Sequence, residues 1–241
     1  KEHAPVFDIQ VDKGEKVDTV KLTNPISPEG TEKYKIILTN TPYPTPTKDE
    51  VVVGGMDYTI GDDIQVRLDQ YLTVFAVDKE NKIKGYRSFK IDEYQDEIKR
   101  GKAEIIEPST ILEGSVVNGG EKIIIELSNS AQWAEDIKTN SSKRDALYNG
   151  FRASGENTEW AKVVDALMAD GSGAIDVSSI DSGKERLIIS LPETKDYDIT
   201  QDQIITLTIP AAAMKDAINP IEAEGSIIIK PTVKATISGD V

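Results

Sequence analysis

Four pairs of adjacent carboxylates, Asp62-Asp63, Asp92-Glu93, Asp96-Glu97 and Glu135-Asp136, are the residues whose type and spacing could do acid–base chemistry. General acid–base catalysis needs two such groups from separate segments aimed at one cleft. With 42 Asp and Glu in 241 residues, neighbouring acids are expected on any solvated surface. The reading taken for these pairs is therefore a charged outer face, with no catalytic residue assigned. Calcium is the other chemistry open to clustered oxygens. Asp57, Asp62 and Asp63 flank the turn at Gly61 and are the candidate ligands for a loose site; Asp176, Asp181 and Glu185 are a second set. The run Asp78-Lys79-Glu80-Asn81 lacks the alternating ligands, central Gly and terminal Glu of an EF-hand loop. The expectation is no resident cofactor, with calcium as the one exception considered.

Other chemistries are removed by composition. The chain has no cysteine, which excludes disulfides, thiolate nucleophiles and cysteine-ligated zinc. Its single histidine, His3, is expected in a frayed terminus. Gly54-Gly55 and Gly119-Gly120 lie between strand-like runs and lack the phosphate-loop spacing, so they read as turns. Flat rings that stack on sugars are the remaining candidates. Tyr43, between Pro42 and Pro44, and Trp133, beside Gln132, are the candidate glycan-binding residues, whereas Trp160 lies on an apolar helical stripe and reads as core. The alternating prolines of 42–46 favour an extended crossing between strands, with a binding loop as the alternative.

The charge balance points the same way. With 28 Lys and Arg against 42 Asp and Glu, the formal charge is −14, which argues against a nucleic-acid partner. No apolar run approaches the roughly 18–20 residues of a spanning helix. The chain opens on Lys1 without a basic and apolar leader, so it reads as an internal piece of a longer polypeptide. The missing cysteines suit either a cytosolic protein or an exported protein of a Gram-positive cell.

The elements that must position these residues are mostly short strands. Residues 6–11, 19–23, 34–38, 51–53, 57–60, 64–66, 71–77 and 82–91 are apolar or alternating runs closed by Gly, Pro, Asn or Asp. The pair 71–77 and 82–91 around a polar turn is a β-hairpin. This pattern predicts a sandwich of immunoglobulin-like type. Residues 92–102 are nearly all polar and read as a linker, placing domains at 1–100 and 101–241. Strands resume at 103–106, 110–116 and 122–127. A helical insertion over about 131–169 follows, with Leu147 and Phe151 on one face, and Trp160, Val164, Leu167 and Met168 on another. Strands then return at 174–177, 186–191, 204–209 and 226–229, with a helical crossover after Pro210. The fold expected is mainly β: two tandem immunoglobulin-like sandwiches, the second carrying the helical insertion. Leu112-Glu113-Gly114-Ser115-Val116 echoes Ile237-Ser238-Gly239-Asp240-Val241, which suggests that the last residues begin another module.

The runs 188–192, 197–200, 204–213, 219–223 and 227–229 resemble a module that recurs in large surface proteins of Bacillus and Paenibacillus type, often beside S-layer homology domains. Gly119-Gly120-Glu121-Lys122 with Trp133 is similar to another part of that module, and the hairpin 71–91 to a companion repeat. The sequence also resembles the domain of unknown function that follows some calcineurin-like metallophosphoesterases, although none of that enzyme's metal-binding motifs occurs. These resemblances imply an extracellular, cell-surface accessory or spacer region without catalytic residues. They imply neighbouring domains of the same polypeptide as its partners. The alternative is a module that binds glycan or cell-wall polymer.

Overall fold

Most of the short apolar runs form strands, but 51–53 carries only an isolated bridge at Val51, and of 6–11 only the end from Gln10 is a strand. The computed structural model describes residues 1–107, 112–113, 122–154, 161, 164–165, 167–169, 175–180, 183–190 and 203–230. The chain divides into two compact units, Lys1–Arg100 and Gly101–Val241. The first contains β1 (Gln10–Lys13), β2 (Thr19–Thr23), β3 (Lys33–Thr39), β4 (Met56–Tyr58), β5 (Ile64–Gln65), β6 (Tyr71–Val77) and β7 (Ile83–Lys90).

These strands make two antiparallel sheets, ordered β1-β2-β5 and β4-β3-β6-β7. The sandwich expected from the sequence is therefore present. Its fourth strand pairs with β3 in the larger sheet, whereas the constant-type immunoglobulin arrangement puts the fourth strand on the other side. Val20, Leu22 and Ile64 of the smaller sheet meet Ile36, Leu72, Val74, Ala76 and Phe89 of the larger one in the main core. Tyr58 ties the two sheets together. Its hydroxyl accepts from the Leu22 N–H at 2.9 Å and donates to the Asp62 carbonyl at 2.8 Å.

Strand β6 is buried on both faces. Its alternate residues Phe75 and Val77 point away from the main core into a second cluster with Ala4, Val52 and Ile83. Residues 1–7 and 41–52 roof that cluster. Ala4 N–H donates to the Pro46 carbonyl and Lys48 N–H to the Glu2 carbonyl, both at 2.9 Å, and Tyr43 packs edge-on against Phe75 at 5.1 Å. The N-terminus is thus an ordered strap, with His3 bridged to Thr47. The frayed tail expected from position alone is corrected by this pairing, because the outer face of β6 is too apolar to be left to water.

The polar stretch after β7 is likewise folded. Ile91–Glu97 is a 3-10 helix, kinked at Tyr94, with Ile91 and Ile98 buried as anchors at its two ends. Lys99 N–H then donates to the Thr19 carbonyl at 2.9 Å, and Asp18 N–H to the Lys99 carbonyl at 2.7 Å. Arg100 lies 3.7 Å from the carboxylate of Asp18, whose side chain is 2% exposed. A linker was expected over 92–102. Most of it belongs to the first unit, because two isoleucines seven residues apart pull the intervening polar turn onto the core.

The second unit contains β8 (Lys102–Glu107), β9 (Leu112–Glu113), β10 (Lys122–Ser128), α1 (Ser141–Ser154), β11 (Ile175–Ile180), β12 (Lys184–Ser190), β13 (Gln203–Ile205), β14 (Thr208–Ile209), β15 (Ile221–Glu222) and β16 (Ile227–Lys230). One antiparallel sheet runs β11-β12-β10-β8, a second runs β13-β16-β9 with β9 parallel to β16, and β14 pairs with β15. The run 204–209, read as one strand, is two strands with different partners. Ala211–Ala213 forms a short 3-10 turn entered from Pro210, as the crossover reading anticipated.

Of the expected insertion, α1 begins only at residue 141. Asn140 caps it, its side-chain oxygen accepting from Lys143 N–H at 3.3 Å. Residues 132–134 instead run beside 213–215, with Trp133 bridged to Met214, and 135–139 are turns. Leu147 and Phe151 enter the core together, as their spacing implied, and Val164 and Leu167 join them. The readings placed on Trp160, on Gly119-Gly120, on 197–200 and on the echo at 237–241 lie outside the described residues.

Candidate functional site

Members of three of the four carboxylate pairs are engaged by different partners. Glu135 bonds Lys215 at 2.7 Å, whereas its neighbour Asp136 bonds Lys143 and Asn140. Asp92 lies 3.2 Å from Lys90. Asp63 accepts from the Glu15 and Lys16 N–H groups at 2.9 and 3.0 Å. A general acid working near neutrality needs a raised pKa. Here Glu135 and Asp136 are held low by their lysines, and Asp63, though burial pushes it up, is held low by two backbone donors together with the charges of Lys21 and Lys16.

The calcium candidates are similarly engaged. Asp57 bonds Lys35 at 2.8 Å with Lys33 at 3.9 Å, and these lysines hold its carboxyl below the ordinary range. Asp63 is turned to the backbone of 15–16, and the Asp62 carbonyl serves Tyr58. Of the second set, Asp176 bonds Lys138 at 2.7 Å and Glu185 accepts from the Trp133 N–H at 2.8 Å, while Asp181 is outside the described residues. Among the described residues no three His, Asp or Glu converge on a metal-sized space. Asp78, rejected above as an EF-hand start, organises the β6–β7 turn. One of its oxygens accepts from the Glu80 and Lys82 N–H groups, which keeps its pKa low, and Asn81 takes the left-handed conformation.

The two candidate rings are placed differently from one another. Trp133 is 2% exposed, inside the core of the second unit, and presents no open face to a sugar. Its indole N–H has no hydrogen-bond partner among the described residues. Tyr43 is half-buried, with its edge on Phe75, in the 41–52 segment that roofs the outer cluster.

The best-built polar cluster escaped the sequence reading. Glu126, at the centre of β10 and 7% exposed, bonds Arg186 at 2.9 Å and Lys184 at 3.1 Å from β12. Arg186 stands directly opposite it in the ladder. The Lys184-Glu185-Arg186 run is visible in the sequence, but its partner appears only once the register is known. The arginine, then the lysine, hold the Glu126 carboxyl below its ordinary value against the opposing effect of burial. A depressed folded-state pKa means that this stabilisation is complete above the ordinary carboxylate range. It is lost as pH falls through the folded value. Glu126→Gln is expected to lower the stability of the second unit at neutral pH by about 1 kcal/mol, below the usual range for charged hydrogen bonds because both cations are part-exposed. Urea unfolding at neutral and acid pH checks this: the variant and the parent should converge in acid, and a pH-independent gap would refute the assignment.

What these features define is a pair of β-sandwich modules in which the acids described above are engaged with lysines, arginines or backbone amides. Residues 12–94 match the family model described as "S-layer protein SbsC C-terminal domain", so the first unit is similar to a module of a bacterial surface-layer protein. A crystal structure of domains 7, 8 and 9 of the S-layer protein SbsC is similar with a TM-score of 0.35 and 14% identity, over 96% of this chain and 62% of that one. The chain thus spans under two thirds of that structure's length. No curated protein matches. No helix among the described residues is long and apolar enough to cross a membrane.

Proposed function

We propose that this chain is a non-catalytic spacer of a larger, exported bacterial surface protein, holding neighbouring domains of its polypeptide at a distance from the cell. The observation that carries this reading is the surface-layer match over residues 12–94, which lies wholly within the first unit and spans its sandwich from β1 to the closing 3-10 helix. The pairing of its carboxylates supports it, since lowered acids suit a charged outer surface better than proton transfer. A metallophosphoesterase catalytic domain is one neighbour that such a spacer would carry.

Two measurements test the proposal. An antibody against the purified chain should label intact source cells, and labelling only after lysis would overturn a surface location. The purified chain should also pass unretained over isolated peptidoglycan and secondary wall polymer. Retention that falls on Tyr43→Ala would replace the spacer with a glycan-binding module.

A further inference from the structure

The first unit is fastened at both of its ends in a manner suited to tension. Segment 2–8 is hydrogen-bonded along both edges. On one side Glu2 and Ala4 pair with residues 46–48. On the other, Tyr86 N–H of β7 donates to the Pro5 carbonyl at 3.0 Å, and Phe7 N–H donates to the Tyr86 carbonyl at 3.2 Å. This second contact is a parallel bridge, Val6 to Tyr86. Ala4 and Phe7, each 5% exposed, anchor the segment in the outer and the main core respectively.

Parallel pairing fixes how a pull is shared. The segment leads towards the N-terminal end of the unit, and β7 leads out of it through the 3-10 helix and Ile98–Arg100. In a parallel pair those two exits lie at opposite ends, so drawing them apart slides one strand along the other. All the bonds between them are then loaded at once. A hairpin pulled at its open end breaks its bonds one after another. The far exit is secured too, by Lys99 on Thr19 and Asp18 and by Arg100 beside the buried Asp18 carboxylate. We infer that the first unit is a tension-bearing element whose resistance lies in the shear contact between residues 5–7 and Tyr86. This inference rests on the spacer reading for its purpose, but the resistance itself is a property of the purified chain.

The chain has no cysteine, so single cysteines introduced as Lys1→Cys and Val241→Cys give unique handles for force spectroscopy. At about 3.3–3.6 Å per extended residue, opening of the first unit should lengthen the tether by roughly 300 Å, and opening of the larger second unit by more. Tyr86 stands opposite Phe75 in β6 but turns both its N–H and its carbonyl to the strap, so proline here removes no β6 bond. Tyr86→Ala should keep the high-force step of the first unit, because it deletes the ring and leaves the N–H. Tyr86→Pro should lose that step. Equal forces in the two variants overturn the inference. Should Tyr86→Pro not fold, moving the first handle to Gln10, beyond the strap, leaves residues 5–7 unloaded. The unit should then open at lower force, and an unchanged force overturns the inference. Because no cell is involved, a failure here is separate from a failure of surface labelling.

Discussion

Phe75→Ala is expected to cost the first unit about 3–5 kcal/mol, the range for emptying a fully buried aromatic site. The ring is 0% exposed, yet it does not lie in the main core. It fills the outer cluster, between β6 and the strap, with Tyr43 edge-on at 5.1 Å. An aromatic pair of this geometry adds about 0.5–1.5 kcal/mol beyond its buried area. The roof over Phe75 is built from segments without a sheet of their own, so removing the ring takes away most of what they cover. The loss should therefore be uneven. Amide exchange at Ala4 and Lys48, which bond across the strap, should rise more than exchange at Leu22 in the main core. Val74→Ala, one residue away on the opposite face, should cost less and leave the strap amides protected until the whole unit unfolds. Urea unfolding with hydrogen exchange measures both. A loss below about 1 kcal/mol for Phe75→Ala, against the range expected of a buried ring, would mean that the strap closes over the gap.

The same outer cluster shows where reading the chain succeeded and where it stopped. The hairpin of β6 and β7 was legible because both strands and the turn that Asp78 organises are contiguous, and alternation with a polar turn is a local signal. Reading 71–77 as an alternating run passed over how apolar Tyr-Leu-Thr-Val-Phe-Ala-Val is for a half-solvated strand, and β6 is covered on its second face as well. What provides that cover was not legible, because residues 1–7 and 41–52 are brought there by pairings with distant partners. The polar run 92–102 read as a linker for the opposite reason. Its two anchors, Ile91 and Ile98, are outnumbered by charges in any window, although they are 0% and 2% exposed. Glu126 looked like one acid among 42 until register put Arg186 opposite it. Trp133 looked like an available ring because its immediate neighbours are polar. Its segment is drawn by a bridge to Met214 into the core cluster of the second unit, and those partners are distant in sequence.

Gly150→Ala is a case in which a local rule and a packing contact predict opposite signs, and the magnitudes decide between them. Glycine within a helix is about 0.8–1 kcal/mol worse than alanine, so exchanging it at an interior position of α1 should stabilise. A methyl group built there, however, would stand 2.6 Å from the Thr208 carbonyl oxygen of β14 and 3.1 Å from the Pro210 ring. Neither neighbour is the loose end of a flexible side chain. Moving Thr208 strains its pairing with Glu222, and Pro210 opens the 3-10 turn whose Ala213 and Met214 lie against Ala134 and Trp133. Overpacking of this kind costs about 1–3 kcal/mol, which exceeds the gain in helix propensity. The expected result is a net loss of roughly 1–2 kcal/mol for Gly150→Ala, the difference between overpacking and propensity. Gly150→Val, with two more methyl groups and a stiff χ1, should lose more still. Neighbouring Leu147 and Phe151 are 0% exposed, so α1 cannot step away from β14 without uncovering them. Thermal unfolding of the two variants against the parent settles the order. A rise in the midpoint for Gly150→Ala would show that the helix propensity wins and that α1 rides less closely on β14 than the contact distances indicate.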